Sequence, residues 1–148
     1  MSFHHITTIG FTKTTAENFF GRLLSSGVTK VVDVRLNNTS QLSGFAKAKD
    51  LSYFLRKLGD IGYSHQPSLA PTDTMLKAYR KGDDPWNVYE KKFMNLISER
   101  KIEEKFNPEM LDGVCLLCSE DTPHHCHRRL VVEYLNGKWG KSLSVKHL

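Results

Sequence analysis

The sequence predicts an α/β fold: a three-layer sandwich in which helices cover both faces of a mostly parallel, Rossmann-like sheet of about five strands. Short β-rich segments alternate with segments of helical periodicity, which favours parallel strands joined by right-handed crossovers. The 148 residues are enough to close one core. A hydrophobic fraction of 39% argues against disorder. We therefore expect a single domain that spans residues 1–148.

Five elements are predicted in the first half of the chain. Alternating β-branched residues indicate the first strand, and the short β-rich run from Lys30 to Arg35 is typical of a strand buried in a parallel sheet. Apolar residues at helical spacing indicate the helices, the first of which is followed by Gly27 as a stop. The elements are a strand from Phe3 to Ile9, a helix from about Ala16 to Ser25, the strand from Lys30, a helix with the apolar set Leu51, Phe54, Leu55 and Leu58, and a strand from Gly62 to His65.

The second half begins with an irregular or briefly helical segment from Ser68 to Pro85. An amphipathic pattern then predicts one long helix, and a continuous apolar run predicts the most buried strand. A proline suits the first turn of the next helix, because the amide hydrogen it lacks has no partner there. The elements are a helix from Trp86 to about Lys105, a strand from Gly113 to Cys118, a helix that begins near Pro123 and ends at Gly137, and a strand from Leu143 to Val145.

Charge and composition indicate which class of partner the protein binds and in which cellular compartment it lies. Lys and Arg number 21 against 16 Asp and Glu, and the formal charge of +5 favours anionic partners such as a nucleotide or nucleic acid. No apolar run approaches the ~20 residues that cross a bilayer, so we expect no membrane partner. The amino terminus lacks the pattern of a signal peptide, and three cysteines leave one unpaired. These features together predict a cytoplasmic protein.

Polar residues follow the second and third predicted strands, at the carboxyl ends where parallel sheets bind ligands. Arg35 is suited to bind a phosphate or carboxylate through two hydrogen bonds, while Asp33 either fixes it or acts as an acid or base. Alternatively, the two residues form an internal ion pair that stiffens the end of the sheet. Tyr63 and His65 share a face of the third strand, and His65 either relays a proton near neutral pH or is a hydrogen-bonded core histidine.

The segment from Cys118 to Arg129 is the densest functional signal in the chain. It joins a buried strand to a helix N-terminus, where the helix dipole favours an anion or a thiolate. Cys126 lies beside His127 and Arg128, a setting that lowers the pKa of a thiol. The segment thus either supplies a nucleophile or forms a turn that binds an anion. Alternatively, Cys126 and His127 simply pack beneath the sheet. Acidic residues in the segment argue against a phosphatase loop of the tyrosine-phosphatase kind.

The cysteines and histidines of this segment are also of the types that bind metal ions. Cys115 and Cys118 are three positions apart on a strand, so their side chains point to opposite faces and do not pair. We therefore predict no four-ligand structural zinc site. A site built from Cys118, Cys126 and His127, completed by Glu120 or a water, is the weaker alternative.

Three segments together resemble the pattern of domain-of-unknown-function family 488. They are Asp33-Val34-Arg35, the run from Tyr63 to Leu69, and the run from Cys118 to Arg128. The similarity extends from Ile9-Gly10 to the final strand. The resemblance implies one domain with a shared pocket, and it implies neither a reaction nor a cofactor.

The leading hypothesis from the sequence is an enzyme or ligand-binding domain that acts on an anionic, nucleotide-like or nucleic-acid-derived substrate at the C-terminal rim of the sheet. Two alternatives are a non-catalytic module that binds nucleic acid or protein, and a metal-dependent hydrolase. The predicted catalytic residues are Glu120, Cys126, His65 and Asp33, and the predicted anion-binding residues are Arg35, Arg128, Tyr63 and His127.

Overall fold

A computed structural model describes residues 4–37, 44–119 and 125–148 of the chain. The strands in these residues are β1 (His4–Gly10), β2 (Lys30–Asp33), β3 (Gly62–His65), β4 (Val114–Cys118) and β5 (Leu143–His147). The helices are α1 (Ala16–Ser25), α2 (Ala48–Gly59), α3 (Asp73–Arg80), α4 (Trp86–Glu99), α5 (Ile102–Lys105), α6 (Pro108–Leu111) and α7 (His127–Lys138). All strand pairs are parallel, in the order β3-β2-β4-β1-β5. The predicted α/β sandwich with helices and a parallel sheet is confirmed.

The two faces of the sheet carry separate hydrophobic cores, and the alternation along β4 divides its residues between them. Cys115 and Leu117 belong to the core that α1 and α2 cover. Leu116 and Cys118 belong to the core that α4 and α7 cover. Because successive side chains of a strand point to opposite faces, β4 is buried on both sides. The prediction that Cys115 and Cys118 face opposite sides of the sheet is confirmed.

The order of the strands positions a crevice between β2 and β4, which are neighbours in the sheet. The chain leaves β2 toward α2 on one face and leaves β4 toward α7 on the other face. Where connections from adjacent strands diverge in this way, the gap at the carboxyl ends is the usual ligand site of an open α/β sheet. No helix in the described ranges is long and apolar enough to cross a bilayer.

Two predicted helices differ in detail from the structure. The helix expected from Trp86 to Lys105 ends at Glu99, because Lys101 adopts a left-handed conformation with φ of 54°. This turn redirects the chain and buries Ile102 in the core, so tertiary packing overrides the helical periodicity. In α2 only Leu51 and Leu55 of the predicted apolar set are buried. Phe3 and Pro123, at which a strand and a helix were expected to begin, lie outside the described residues.

Candidate functional site

A small cleft, open to solvent, lies at the carboxyl ends of β2 and β4. Residues that follow β2, including Arg35, form one side of it. Cys118 and Ser119 at the end of β4, together with His125 to His127 before and within α7, form another. Side chains of α3 and α4 close the third side. The cleft therefore occupies the crevice that the strand order creates.

The side formed by α3 and α4 is an aromatic wall, made of Tyr79, Trp86 and Tyr89. The ring of Trp86 lies 5.5 Å from that of Tyr79 and 5.3 Å from that of Tyr89, measured between centroids. The imidazole of His125 stacks on Trp86 at 4.9 Å with an interplanar angle of 25°. The indole of Trp86 is half-buried.

Asp33 and Arg35 form a buried ion pair immediately after β2. The Asp33 carboxylate accepts hydrogen bonds from Arg35 Nε at 2.9 Å and Arg35 Nη2 at 2.7 Å, and from the Tyr63 hydroxyl at 2.6 Å. The backbone N–H of Arg35 donates to the same carboxylate at 3.0 Å. Arg35 Nη2 also donates to the Ala46 carbonyl, and its guanidinium lies over the Phe11 ring. This is the internal ion pair expected as one of two alternatives, and it fixes the orientation of the guanidinium.

Two histidines hold the backbone that leaves β2. His65 Nε2 lies 2.7 Å from the Arg35 carbonyl, and His127 Nε2 lies 2.6 Å from the Val34 carbonyl. A carbonyl oxygen only accepts hydrogen bonds, so Nε2 carries a proton in both rings. Burial lowers the pKa of His127 to about 4, although the bond to Val34 opposes this shift. His127 is therefore a neutral imidazole at pH 7.

The sulfur atoms of Cys118 and Cys126 meet where β4 faces the start of α7, and they form a disulfide. Nη1 of the buried Arg128 lies 3.9 Å from each Sγ atom, and its Nε donates to the Thr8 hydroxyl at 3.2 Å. A ring nitrogen of His127 lies within 4.8 Å of both sulfurs. This corner thus combines two sulfurs, a neutral imidazole and a guanidinium.

The free thiol of Cys115 lies on the other face of the sheet. Burial raises its pKa to about 12, so it stays protonated and unreactive at neutral pH.

The sequence-predicted residues occupy three kinds of position. Arg35, Cys126 and His127 line the cleft. Asp33, Tyr63, His65 and Arg128 lie behind the lining residues and contact them or one another. Glu120 lies outside the described residues. The structure therefore brings the residues after β2 and β4 to one place, while the catalytic roles assigned to them stay predictions.

Sequence reasoning missed the side of the cleft that α3 and α4 provide. Tyr79, Arg80, Trp86 and Tyr89 all line the cleft. Apolar or aromatic residues at helical spacing are ordinarily core residues, and Tyr89 does pack there. The available signal was the concentration of aromatic rings beside Arg80, in and just after a segment that the sequence predicts to be irregular or briefly helical.

A parallel α/β domain with a cleft lined by arginine and aromatic residues at its topological switch point is the class that this fold and site define. The chain belongs to the family described as Domain of unknown function DUF488, whose model matches residues 15–135. The matched range contains every described residue of the cleft, and it confirms the resemblance seen in the sequence motifs. Neither the curated proteins nor the solved structures contain a match to the chain.

Proposed function

We propose that the protein binds an anionic, nucleotide-like or nucleic-acid-derived substrate in the cleft between β2 and β4 and acts on it there. One observation carries the proposal: Arg35, Arg80 and an aromatic wall line the same cleft, and none of its described lining residues is acidic. The arginines suit a phosphate, and the aromatic wall suits a nucleobase. The excess of basic residues over acidic ones in the whole chain favours the same class of ligand.

The phosphate end of the substrate is assigned to the arginine side of the cleft. Arg80 is exposed at the end of α3, so its guanidinium is available to solvent and to a ligand. Arg35 also lines the cleft and is oriented by Asp33, whose carboxylate balances its charge. The N-terminus of α7 opens at Cys126 and His127, which also line the cleft, and the amides of a helix N-terminus attract anions.

The base is assigned to Trp86. The stacked ring of His125 already has the geometry that a nucleobase adopts on an indole. Stacking of a base on an aromatic side chain contributes roughly 1–3 kcal/mol. A base therefore binds either in place of His125 or on the neighbouring ring of Tyr79.

Each predicted residue has a role in this proposal. Arg35 and Arg80 bind the anion, Cys126 and His127 form part of the wall, Glu120 moves protons, and Asp33, Tyr63, His65 and Arg128 hold the other groups in place. Asp33 acts through Arg35, because the protein's own donors already contact its carboxylate.

The proposal is tested by fluorescence titration with nucleoside mono-, di- and triphosphates and with a short single-stranded oligonucleotide. The chain has two tryptophans, so the Trp139→Phe variant isolates the signal of Trp86. We expect saturable quenching that Arg80→Gln weakens about tenfold, which corresponds to ~1.4 kcal/mol. Lys81→Gln is the matched control, because Lys81 is the exposed neighbour of Arg80 and is not among the lining residues.

Two results contradict binding at this site. One is equal weakening by Arg80→Gln and Lys81→Gln, and the other is binding of uncharged nucleosides as tight as that of their phosphates. Turnover is followed separately by mass spectrometry of the bound ligand. Glu120→Gln is expected to abolish product formation and to leave the quenching curve unchanged.

The net charge of +5 favours a second candidate, the module that binds nucleic acid without catalysis. Such a module makes many phosphate contacts, so its affinity for the oligonucleotide falls steeply as salt rises. Steep salt dependence with no turnover, and with mononucleotides bound weakly, supports this candidate over the enzyme.

A further inference from the structure

Three metal-ligating side chains converge at one corner of the cleft. Cys118 ends β4, Cys126 precedes α7, and His127 is the first residue of α7. The two Sγ atoms and a ring nitrogen of His127 all lie within 4.8 Å of one another. Both cysteines are 2% exposed, so the sulfurs are protected from solvent.

The surroundings of His127 are those of a metal ligand. Its Nε2 donates to the Val34 carbonyl at 2.6 Å, which fixes both the tautomer and the orientation of the ring. Histidines that bind metals generally donate their other N–H to a carbonyl or carboxylate in this way. The bond leaves the Nδ1 lone pair for coordination.

The surroundings of the sulfurs favour thiolates, the form in which cysteine binds metals. Arg128 places a guanidinium nitrogen 3.9 Å from each sulfur, and a nearby positive charge stabilises the thiolate. The Cα atoms of Cys118 and Cys126 are 7.4 Å apart. Most disulfides span roughly 4.4–6.8 Å between Cα atoms, so this wider separation suits two sulfurs that share a metal ion.

We propose that Cys118, Cys126 and His127 bind one zinc ion when the two cysteines are reduced. Thiolate and imidazole ligands select zinc among the abundant divalent metals. A thiol or phosphine reductant supplies the two electrons that cleave the disulfide, and two protons from water convert the sulfurs to thiols. Zinc then displaces both thiol protons, so the site holds two thiolates, a neutral imidazole and Zn²⁺.

The fourth coordination position of the ion faces the cleft, because all three ligands line it. Within residues 4–37, 44–119 and 125–148 the cluster has these three members. Three protein ligands and one open position is the arrangement of catalytic zinc, which polarises a bound water. The metal and the proposed substrate would then share the cleft, but metal binding itself does not depend on the nucleotide.

The test uses metal alone. Protein reduced with a phosphine under anaerobic conditions is titrated with Co²⁺ and then with Zn²⁺. We expect a thiolate-to-cobalt charge-transfer band at one equivalent, which zinc abolishes. X-ray absorption of the zinc form should show two sulfurs at about 2.3 Å and nitrogen at about 2.0–2.1 Å.

Alanine variants identify the ligands. Cys118→Ala, Cys126→Ala and His127→Ala should each lower zinc affinity about 100-fold or more, since even loss of an outer-shell partner costs ~10–100-fold. Cys115→Ala should bind zinc like the parent protein, because Cys115 belongs to the other core.

The proposal is overturned if the reduced and folded protein gives no charge-transfer band, if the zinc has only oxygen and nitrogen neighbours, or if Cys115→Ala loses as much affinity as the other variants. Circular dichroism establishes that each variant is folded. If a variant does not fold, the number of sulfur neighbours that X-ray absorption finds around zinc in the parent protein decides whether the proposal stands.

Discussion

At the scale of single residues, the buried pair of Asp33 and Arg35 connects stability to the cleft. Asp33 is fully buried and Arg35 is 3% exposed, so removal of both charges from water opposes folding. Four hydrogen bonds to the carboxylate offset this cost and fix the guanidinium at the cleft wall. Loss of one partner would leave the other charge buried without compensation.

Asp33→Asn should therefore lower the free energy of unfolding by about 3–5 kcal/mol, the usual cost of breaking a buried pair from one side. The amide keeps the size of the side chain but removes the negative charge that Arg35 and Tyr63 contact. Urea denaturation followed by circular dichroism measures the change.

The matched control is the exposed pair Asp73–Lys77 on α3, in which the charged atoms are 2.9 Å apart. Lys77→Gln should change the free energy of unfolding by ~0.5 kcal/mol or less, because solvent screens an exposed pair. If both substitutions have effects of this small size, the pair of Asp33 and Arg35 does not stabilise the fold as argued.

Glu103 should make the stability of the protein depend on pH in the acid range. The Tyr134 hydroxyl donates to its carboxylate at 2.7 Å, and this bond lowers the pKa of Glu103 below its ordinary value of 4.5. Because the folded pKa is the lower one, the stabilisation is complete above pH 4.5 and is lost as pH falls through the folded pKa.

Glu103→Gln should therefore reduce stability at pH 7 and remove this part of the loss on acidification. Glu104→Gln is the control, since Glu104 is an exposed neighbour in the same short helix. Thermal unfolding from pH 7 to pH 3 compares the two variants. Parallel curves for both would show that the bond to Tyr134 does not cause the pH dependence.

At the scale of elements, Arg100 joins the end of α4 to the turn that precedes the cleft. Its Nη1 lies 2.8 Å from the Ser68 carbonyl and 2.7 Å from the Ala70 carbonyl. Pro71, the next residue, lines the cleft. One side chain therefore bonds to a carbonyl of the short 3-10 helix Pro67–Leu69 and to that of Ala70, the residue that follows it.

Arg100→Leu should lower the free energy of unfolding by about 1.5–3 kcal/mol, the range for hydrogen bonds to a charged group. Lys91→Leu on the exposed side of α4 should change it by no more than ~0.5 kcal/mol. Guanidinium denaturation compares the two. Equal effects would mean that the carbonyl contacts contribute nothing beyond the loss of a surface charge.

Elements with an unambiguous local pattern were predictable from the sequence. The bounds of α1 and β3 are those predicted from the sequence, and for α1 they follow from helical spacing and the following Gly27. The end of α4 was not predictable, because the positive φ of Lys101 arises from the burial of Ile102 rather than from a glycine or proline.

The candidate site was likewise predictable from the sequence only in part. The convergence of Arg35, Cys126 and His127 was predictable, since the carboxyl ends of parallel strands meet at one rim. The contacts of His65 and His127 with backbone carbonyls were not, because a sequence carries no signal for a main-chain acceptor. The wall around Trp86 was missed because its spacing is also that of a core helix.

At the scale of the whole molecule, two cores lie on opposite faces of a sheet only one layer thick. Leu116 and Leu117 are adjacent in β4 and both fully buried, yet they belong to different cores. Hydrogen bonds join β4 to β1 and β2, and both cores pack against these strands. Because the cores share the sheet, unfolding of one core disturbs the other. We therefore expect the chain to unfold as one cooperative domain.

Leu116→Ala should lower the free energy of unfolding by about 2–5 kcal/mol through loss of buried surface and the cavity that remains. Although Leu116 packs on the side of α4 and α7, α1 on the opposite face should lose the same amount of protection. Hydrogen exchange measured by mass spectrometry, with peptides from α1 and α7, tests this. Leu117→Ala should give the same result from the other core. If each substitution exposes only the helices on its own face, the two cores are separate cooperative units and the single-domain prediction is wrong.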